Sequence, residues 1–383
     1  MIEVFQVFLM LGLTSFGGPI AHLGYFRREF VDRRQWLSAP DYAAIVGLCQ
    51  FLPGPASSQT GFCVGLMRAG WLGGLAAWLG FTLPSAIVMF LIAREAAWFN
   101  ASRLGHDLMH GLQLAAIAVV AQAVWTMARS MCPDTPRRIL AVAALLVVVL
   151  VPGTIGQLVV LIIGAAAGRL LHVTSPTGGD VMTIKISRRD GVLCLFGFTA
   201  LLVLALLIHE NGLLGLFTAF YRTGALVFGG GHVVLPLLHD AIVVPGWVSP
   251  GAFLAGYGAA QAMPGPIFTV AAYLGALSST GGGAAGSIIA LIAIFLPGLL
   301  LVAGILPFWH ELRQRPGVAA AVMGLNAAVV GLLGYALIGL VSFGTIHNVF
   351  DVAIAMVALL ALTLRGTPPI IVVAGCALAA VVF

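Results

Sequence analysis

Four stretches of this chain, residues 139–151, 191–208, 288–306 and 352–364, carry no charged side chain at all. Several approach the roughly 20 apolar residues that a helix needs to cross a bilayer. Peptide groups in hydrocarbon must find their partners inside the segment, so such runs are helices. A transmembrane β-barrel would alternate apolar and polar side chains, whereas these stretches are apolar on every face. The chain is 61% hydrophobic and 8% charged, against roughly half and a quarter in a soluble domain, so water is not its main solvent. The sequence predicts an all-α polytopic membrane protein with about 10–13 membrane segments.

The first basic residue is Arg27. The amino terminus therefore lacks the positive region of a secretory signal, and its first apolar segment is expected to stay as a helix. The formal charge of +5 comes from arginines beside hydrophobic segments, where topology-setting cations sit. No long basic tract suggests nucleic-acid binding. The cysteines (Cys49, Cys63, Cys132, Cys194, Cys376) are scattered, odd in number and never spaced as C-x-x-C. Disulfides, a metal site and a cofactor are not expected.

The chain repeats itself at a spacing of about 212 residues. Thr-Ser-Phe-Gly-Gly-Pro at 14–19 faces Leu-Val-Phe-Gly-Gly-Gly at 226–231, and Trp36-Leu-Ser38 faces Trp247-Val-Ser249. Gln50-Phe-Leu-Pro53-Gly54-Pro55 faces Gln261-Ala-Met-Pro264-Gly265-Pro266; Leu83-Pro84 faces Leu296-Pro297; Gly111-Leu-Gln113 faces Gly324-Leu-Asn326. The expected organisation is a first half at 1–171, a polar cytoplasmic linker at 172–190, an extra membrane segment at 191–212 and a second half at 213–383. One added crossing between halves of even crossing number inverts the second half. Charge agrees: Arg27, Arg28, Arg33 and Arg34 follow the first Gly-Gly motif, and only His239 and Asp240 follow the second. An inverted repeat is a common secondary-transporter architecture. If every segment spans, however, Arg129, Arg137 and Arg138 fall outside with the basic linker. Making the Gln-x-x-Pro-Gly-Pro segments re-entrant brings them inside but leaves one crossing too many near residues 191–235.

Proline removes a helix hydrogen bond and clashes with the preceding turn, and glycine adds freedom. Pro53-Gly54-Pro55 and Pro264-Gly265-Pro266 should therefore break their helices. Broken backbone in a membrane is tolerated where protein covers it or where it lines a cavity, so a break at matched positions, with Gln50 and Gln261 beside it, points to a central site. Phe16-Gly17-Gly18 and Phe228-Gly229-Gly230 either let helices approach closely or expose N–H groups to an anion at a helix start. Thr14, Ser15, Ser57, Ser58, Gln59 and Thr60 in the first half and Thr269 in the second can donate hydrogen bonds to a tetrahedral oxyanion without carrying charge, although Ser and Thr also satisfy carbonyls of their own helix. Arg222 lies six residues before Phe228 in an otherwise uncharged run. It either offers a dianion a fixed positive charge or snorkels to the interface. His22 and His232 could carry protons near neutral pH.

These motifs resemble the chromate ion transporter family in its two-domain form. The resemblance rests on Leu13-Thr-Ser-Phe16-Gly-Gly-Pro19-Ile-Ala-His22, Cys49-Gln-Phe-Leu-Pro53-Gly-Pro55-Ala-Ser-Ser-Gln59, Trp78-Leu-Gly-Phe-Thr-Leu-Pro84-Ser85, Phe228-Gly-Gly-Gly231-His-Val-Val-Leu-Pro236 and Gln261-Ala-Met-Pro264-Gly-Pro266, and so covers essentially the whole chain. It implies export of chromate across a bacterial inner membrane, linked to the proton-motive force and giving chromate resistance, with sulfate as a similar competitor. Family members often carry a basic residue before each Phe-Gly-Gly; Arg222 fits, whereas the first half has Met10. The residues by themselves reach only a small-anion carrier. A membrane enzyme is the contrasting reading, but no H-E-x-x-H or G-x-S-x-G motif is present. Glycine-rich faces such as 281–286 could pack within one chain or between two in a homodimer.

Overall fold

The computed structural model describes every residue except 97–101, 152, 170–185, 209, 229–232, 314–315, 343–344 and 383. Most of the expected linker, and Gly229, Gly230 and His232, thus lie outside the described residues. All regular elements described are helices.

The first half contains α1 (Ile2–Thr14), α2 (Gly18–Arg27, continued by a π turn over Arg28–Arg33), α3 (Ala39–Phe51), α4 (Ala56–Arg94), α5 (Arg103–Met131), α6 (Thr135–Leu150) and α7 (Thr154–Gly168). Helix α8 (Arg188–Leu207) stands between the halves. The second half repeats the order: α9 (Gly212–Leu226), α10 (Val234–Leu238, continued by a π turn over His239–Val243), α11 (Pro250–Ala262), α12 (Val270–Leu277, entered through a 3-10 turn at Ile267–Thr269) and α13 (Gly283–Ile305). It ends with α14 (Trp309–Arg313), α15 (Pro316–Ser342), α16 (Val349–Leu364) and α17 (Pro369–Val382).

Both interruptions of the first half turn the chain back on itself. Between α1 and α2 the reversal brings Phe8 against Phe26 and Phe30, with ring centroids 5.6 and 5.1 Å apart. It also brings Arg34 to Glu3, 3.1 Å away. Between α3 and α4 the break at Pro53–Pro55 does the same. Helix α4 then has an elbow at Ala69 and Gly70, where Gly70 adopts φ 63°, so its two arms lie side by side. Arg68, at the elbow, reaches Glu3 at 3.7 Å and lies over Trp36. The amino terminus, the Arg28–Arg34 turn and the elbow therefore share one end of the molecule. Burial pushes the Glu29 carboxyl up, but hydrogen bonds from Arg34 and Arg33 outweigh it and hold the group below its ordinary value.

The second half has matching reversals. Trp247 lies against Gly215 near the start of α9. The Ser279 N–H donates to the Trp247 carbonyl and the Gly212 N–H to Thr280 Oγ1. The α12–α13 corner thus sits beside the beginning of α9, as the α4 elbow sits beside the beginning of α1.

Glycine seats make these close approaches possible. A Cβ on Gly65 would lie 2.3 Å from the Gly73 carbonyl oxygen, and one on Gly275 would lie 2.4 Å from that of Gly286. The same helix pairs close the elbow in both halves. Farther along, the halves exchange their ends: α5 packs on α16 and α17 as well as on α11, and α15 packs chiefly on α6 and α7. Gly111 is the seat for Ala377 of α17, and its repeat partner Gly324 is the seat for Gly168 of α7. His110 on α5 pairs with Asp351 at the start of α16 across 2.8 Å.

Because real Cβ atoms do not approach an oxygen to 2.3 Å, Gly65→Ala and Gly286→Ala should each lower the melting temperature in detergent by several degrees. Gly375→Ala, whose Cβ meets nothing within 4 Å, should change it by no more than about a degree. Equal tolerance at all these positions would contradict the elbow packing.

Candidate functional site

The breaks of the two halves meet. The Gly54 N–H donates to the Val227 carbonyl at 2.7 Å, and the Gly265 N–H donates to the Ser15 carbonyl at 2.9 Å. Each bond joins a Pro-Gly-Pro of one half to the residue immediately before the Phe-Gly-Gly of the other, so the pair obeys the repeat. Only glycine suits the donors: Gly54 has φ 120° and Gly265 φ 90°. Their α-carbons also face neighbours closely. A Cβ at Gly54 would lie 3.1 Å from Gly298 Cα, and one at Gly265 would lie 3.0 Å from the Phe81 carbonyl and 3.1 Å from Ser85 Oγ. Ser85 and Gly298 each follow a helix-interior proline, Pro84 and Pro297, and are themselves repeat partners.

Gln59 fastens this junction. Its Nε2 donates to the Pro53 carbonyl at 2.9 Å and to the Gly298 carbonyl at 3.0 Å, joining the break of the first half to the helix kink of the second. His22, 1% exposed, places Nδ1 3.4 Å from Ser57 Oγ and its ring edge-on to Phe81. It also bonds the Ser15 backbone. Ser15, His22, Ser57, Phe81, Ser85 and Gly265 are thereby linked into one cluster. Ser15 Oγ, Ser58 Oγ and Thr82 Oγ1 are buried without a hydrogen-bond partner among the described residues.

Helices α2 and α4 both begin at this junction, the first after Gly17 with φ 100° and the second after Pro55. The first-turn N–H groups of a helix have no intrahelical acceptor and carry the positive end of its dipole. The opposing carbonyls at Ser15 and Val227, at the ends of α1 and α9, are covered by the glycine N–H groups. What is left uncovered is donor-rich, which suits an anion.

Other expected site residues lie as follows. Phe16 and Phe228 are half-buried, Gln50 is exposed, and the Gln261 amide bonds the Tyr257 hydroxyl. Pro53, Pro55 and Pro266 are buried and Pro264 half-buried. Gly17 is exposed and Gly18 half-buried. Arg222, half-buried on α9, donates from Nη1 to the Ala205 carbonyl at 3.3 Å, near the end of α8.

The family model described as "Chromate transporter" matches residues 2–169 and again 214–381. The chain belongs to the chromate transporter family. A chromate transport protein of Pseudomonas aeruginosa is 29% identical over 342 residues, covering 87% of this chain and 79% of that protein. A probable chromate transport protein of Synechococcus elongatus is 29% identical over 389 residues, covering 100% and 95%. An uncharacterized transporter of Bacillus subtilis is 33% identical over 162 residues, 40% of this chain but 80% of its own length. No solved structure matches the chain.

Within this chromate transporter family member, the sequence points to Ser15 by its hydroxyl and not by its carbonyl, and assigns no role to Val227, Thr82, Ser85 or Gly298. The signal for the last three was present, since Leu83-Pro84 and Leu296-Pro297 are matched landmarks adjoining them. The repeat makes the two junction bonds equivalent, so Gly54→Ala and Gly265→Ala should be similarly damaging. Each forces a side chain into a left-handed backbone at about 1–2 kcal/mol, in addition to its contact. Chromate flux into proteoliposomes should fall at least about tenfold for both; wild-type flux in either variant would contradict the junction.

Proposed function

We propose that this protein is a secondary transporter that exports chromate across a bacterial inner membrane and so confers chromate resistance. The observation that carries this reading is the family match in both halves together with the meeting of their breaks. Chromate is a tetrahedral dianion, and the junction offers hydroxyls, an imidazole and helix N-termini, which are the donors such an ion accepts from. Backbone interrupted at membrane depth is tolerated where it lines a substrate cavity, as in transporters built from repeats. Sulfate has the same shape and charge, and is the competing substrate.

The two halves form an inverted repeat in this reading. Five stretches among the described residues are long and apolar enough to cross a bilayer: Ala56–Arg94, Arg103–Met131, Arg188–Leu207, Gly283–Phe308 and Ala320–Val341. The first of these crosses with the arm beyond its elbow. The hairpins at each break, and the pairs α6–α7 and α16–α17, return to the face they left. With α9 as a hairpin arm, the surplus crossing near residues 191–235 disappears. Arg27, Arg28, Arg33, Arg34, Arg68, Arg129, Arg137, Arg138, Arg188 and Arg189 then lie on the cytoplasmic face, and Arg94 and Arg103 on the other. Helix α8 delivers the second half to the outer face.

Substrate lies beside the breaks, against Phe16, Gly17 and Gly18 and the turn of Pro53, Gly54 and Pro55, where α2 and α4 begin and their first-turn N–H groups are available to it; Phe228, Pro264, Gly265 and Pro266 close the other side. Arg222 supplies positive potential from α9. His22 is the titratable side chain at the junction and couples the anion to protons; Gln59 holds the two halves in register.

Two experiments test the proposal. Counterflow of labelled chromate into proteoliposomes should saturate, be inhibited by unlabelled sulfate, and fall about tenfold or more in Arg222→Ala. Robust sulfate exchange without chromate flux would keep the architecture and replace the substrate. For topology, Arg28→Cys and Val244→Cys, both at exposed positions, would be introduced into a chain freed of its native cysteines. A membrane-impermeant thiol reagent should label Val244→Cys in intact cells and Arg28→Cys only after permeabilisation. Labelling of both from one side would refute the inversion.

A further inference from the structure

The repeat relates the two sides of the junction in backbone but not in chemistry. Ser15 corresponds to Val227, His22 to Val234, Ser57 to Phe268, Gln59 to Val270, Trp78 to Leu291, Thr82 to Phe295 and Ser85 to Gly298. At all seven positions a polar or N–H-bearing side chain in the first half faces an apolar residue or glycine in the second. The second half keeps Thr269, but its hydroxyl donates to the Pro266 carbonyl at 2.9 Å. It also keeps Gln261, whose amide bonds the Tyr257 hydroxyl and whose counterpart Gln50 is exposed.

Three of these seven first-half side chains, Ser15, Trp78 and Thr82, together with Ser58, are left unused by the fold. Ser15, Ser58 and Thr82 are each at most 1% exposed, and their hydroxyls have no acceptor or donor among the described residues. Trp78 Nε1, one helical turn before Thr82 on the same face of α4, is likewise buried and unpartnered. A buried unpaired polar group destabilises a protein by about 1–3 kcal/mol. Several of them on the first-half side of the junction leave donors that a ligand accepting hydrogen bonds would satisfy.

We propose that the oxyanion binds off the pseudo-twofold axis, held by the side chains of Ser15, His22, Ser57, Ser58, Trp78 and Thr82 of the first half, while the second half closes over it with an apolar wall. This rests on the oxyanion-carrier reading above. Duplication supplied two equivalent frames, and one of them carries the recognition chemistry. Val227, Val234, Phe268 and Phe295 exclude water from the opposite side, which strengthens the bonds that the first half makes. A tetrahedral dianion fits such a one-sided shell because it accepts from several directions and needs no donor of its own.

The test is equilibrium binding of labelled chromate and of labelled sulfate to the purified full-length protein, with melting temperatures measured in parallel. Thr82→Val and Ser58→Ala remove unpaired buried hydroxyls, so they should melt no lower than wild type, yet weaken binding by about tenfold to a hundredfold. The second-half variant Thr269→Val, at the position matched to Ser58 and with its hydroxyl already given to the Pro266 carbonyl, should stay within about twofold of wild-type affinity. The proposal is overturned if Thr82→Val and Ser58→Ala bind as wild type does, or if Thr269→Val loses as much. A wild-type protein that binds neither oxyanion would overturn the carrier reading itself, and that outcome is distinct because it appears before any variant is compared.

Discussion

In hydrocarbon an unpaired peptide group costs several kcal/mol, and in this chain the Pro-Gly-Pro breaks give their glycine N–H groups to carbonyls of the other half. The two bonds from Gly54 to Val227 and from Gly265 to Ser15 are the constraint on which the rest depends. They satisfy the interrupted backbone of each half with backbone of the other, so neither half is complete alone. They also require both donors to be glycine, because φ 120° and 90° are left-handed values and a Cβ would strike Gly298 or Phe81.

Everything beyond the junction serves to bring the breaks to one level. Glycine-on-carbonyl seats fold α4 at its elbow and turn α12 into α13, and the exchanged contacts of α5 with α16–α17 and of α15 with α6–α7 bind the halves around the junction. Association within a bilayer gains little from the hydrophobic effect and relies on close van der Waals packing, which is why Gly65, Gly73, Gly111, Gly275, Gly286 and Gly324 recur at the contacts.

Much of this was legible in the sequence. The Phe-Gly-Gly, Pro-Gly-Pro and Leu-Pro landmarks mark the interruptions and kinks, and the Gly111 and Gly324 landmark marks the seats for the exchanged helices. The exchange itself was not legible, because a glycine shows that something approaches closely and not which helix does. The role of residues 213–226 was hidden for a similar reason: an apolar run of that length reads alike as a crossing or as an arm of a hairpin. The carbonyls of Ser15 and Val227 close the junction, and no side-chain pattern reveals the role of a carbonyl. Gln59 was read as a ligand for substrate, whereas its Nε2 donates to the Pro53 and Gly298 carbonyls. Arg222, read from its place before Phe228, donates to the Ala205 carbonyl. Helix α8, whose counterpart the repeat lacks, could not be placed beside α9 from the repeat alone.

The central claim is that breaks from two halves close on each other beside a one-sided anion shell. The most direct measurement is a cryo-electron microscopy map of the full-length protein in lipid nanodiscs with chromate present. The account predicts contact between the Gly54 and Val227 segments and between the Gly265 and Ser15 segments, with tetrahedral density beside Ser15, Ser57 and Thr82. Breaks separated by lipid, or anion density beside Gln261 and Thr269 with none beside Ser15, Ser57 and Thr82, would contradict it.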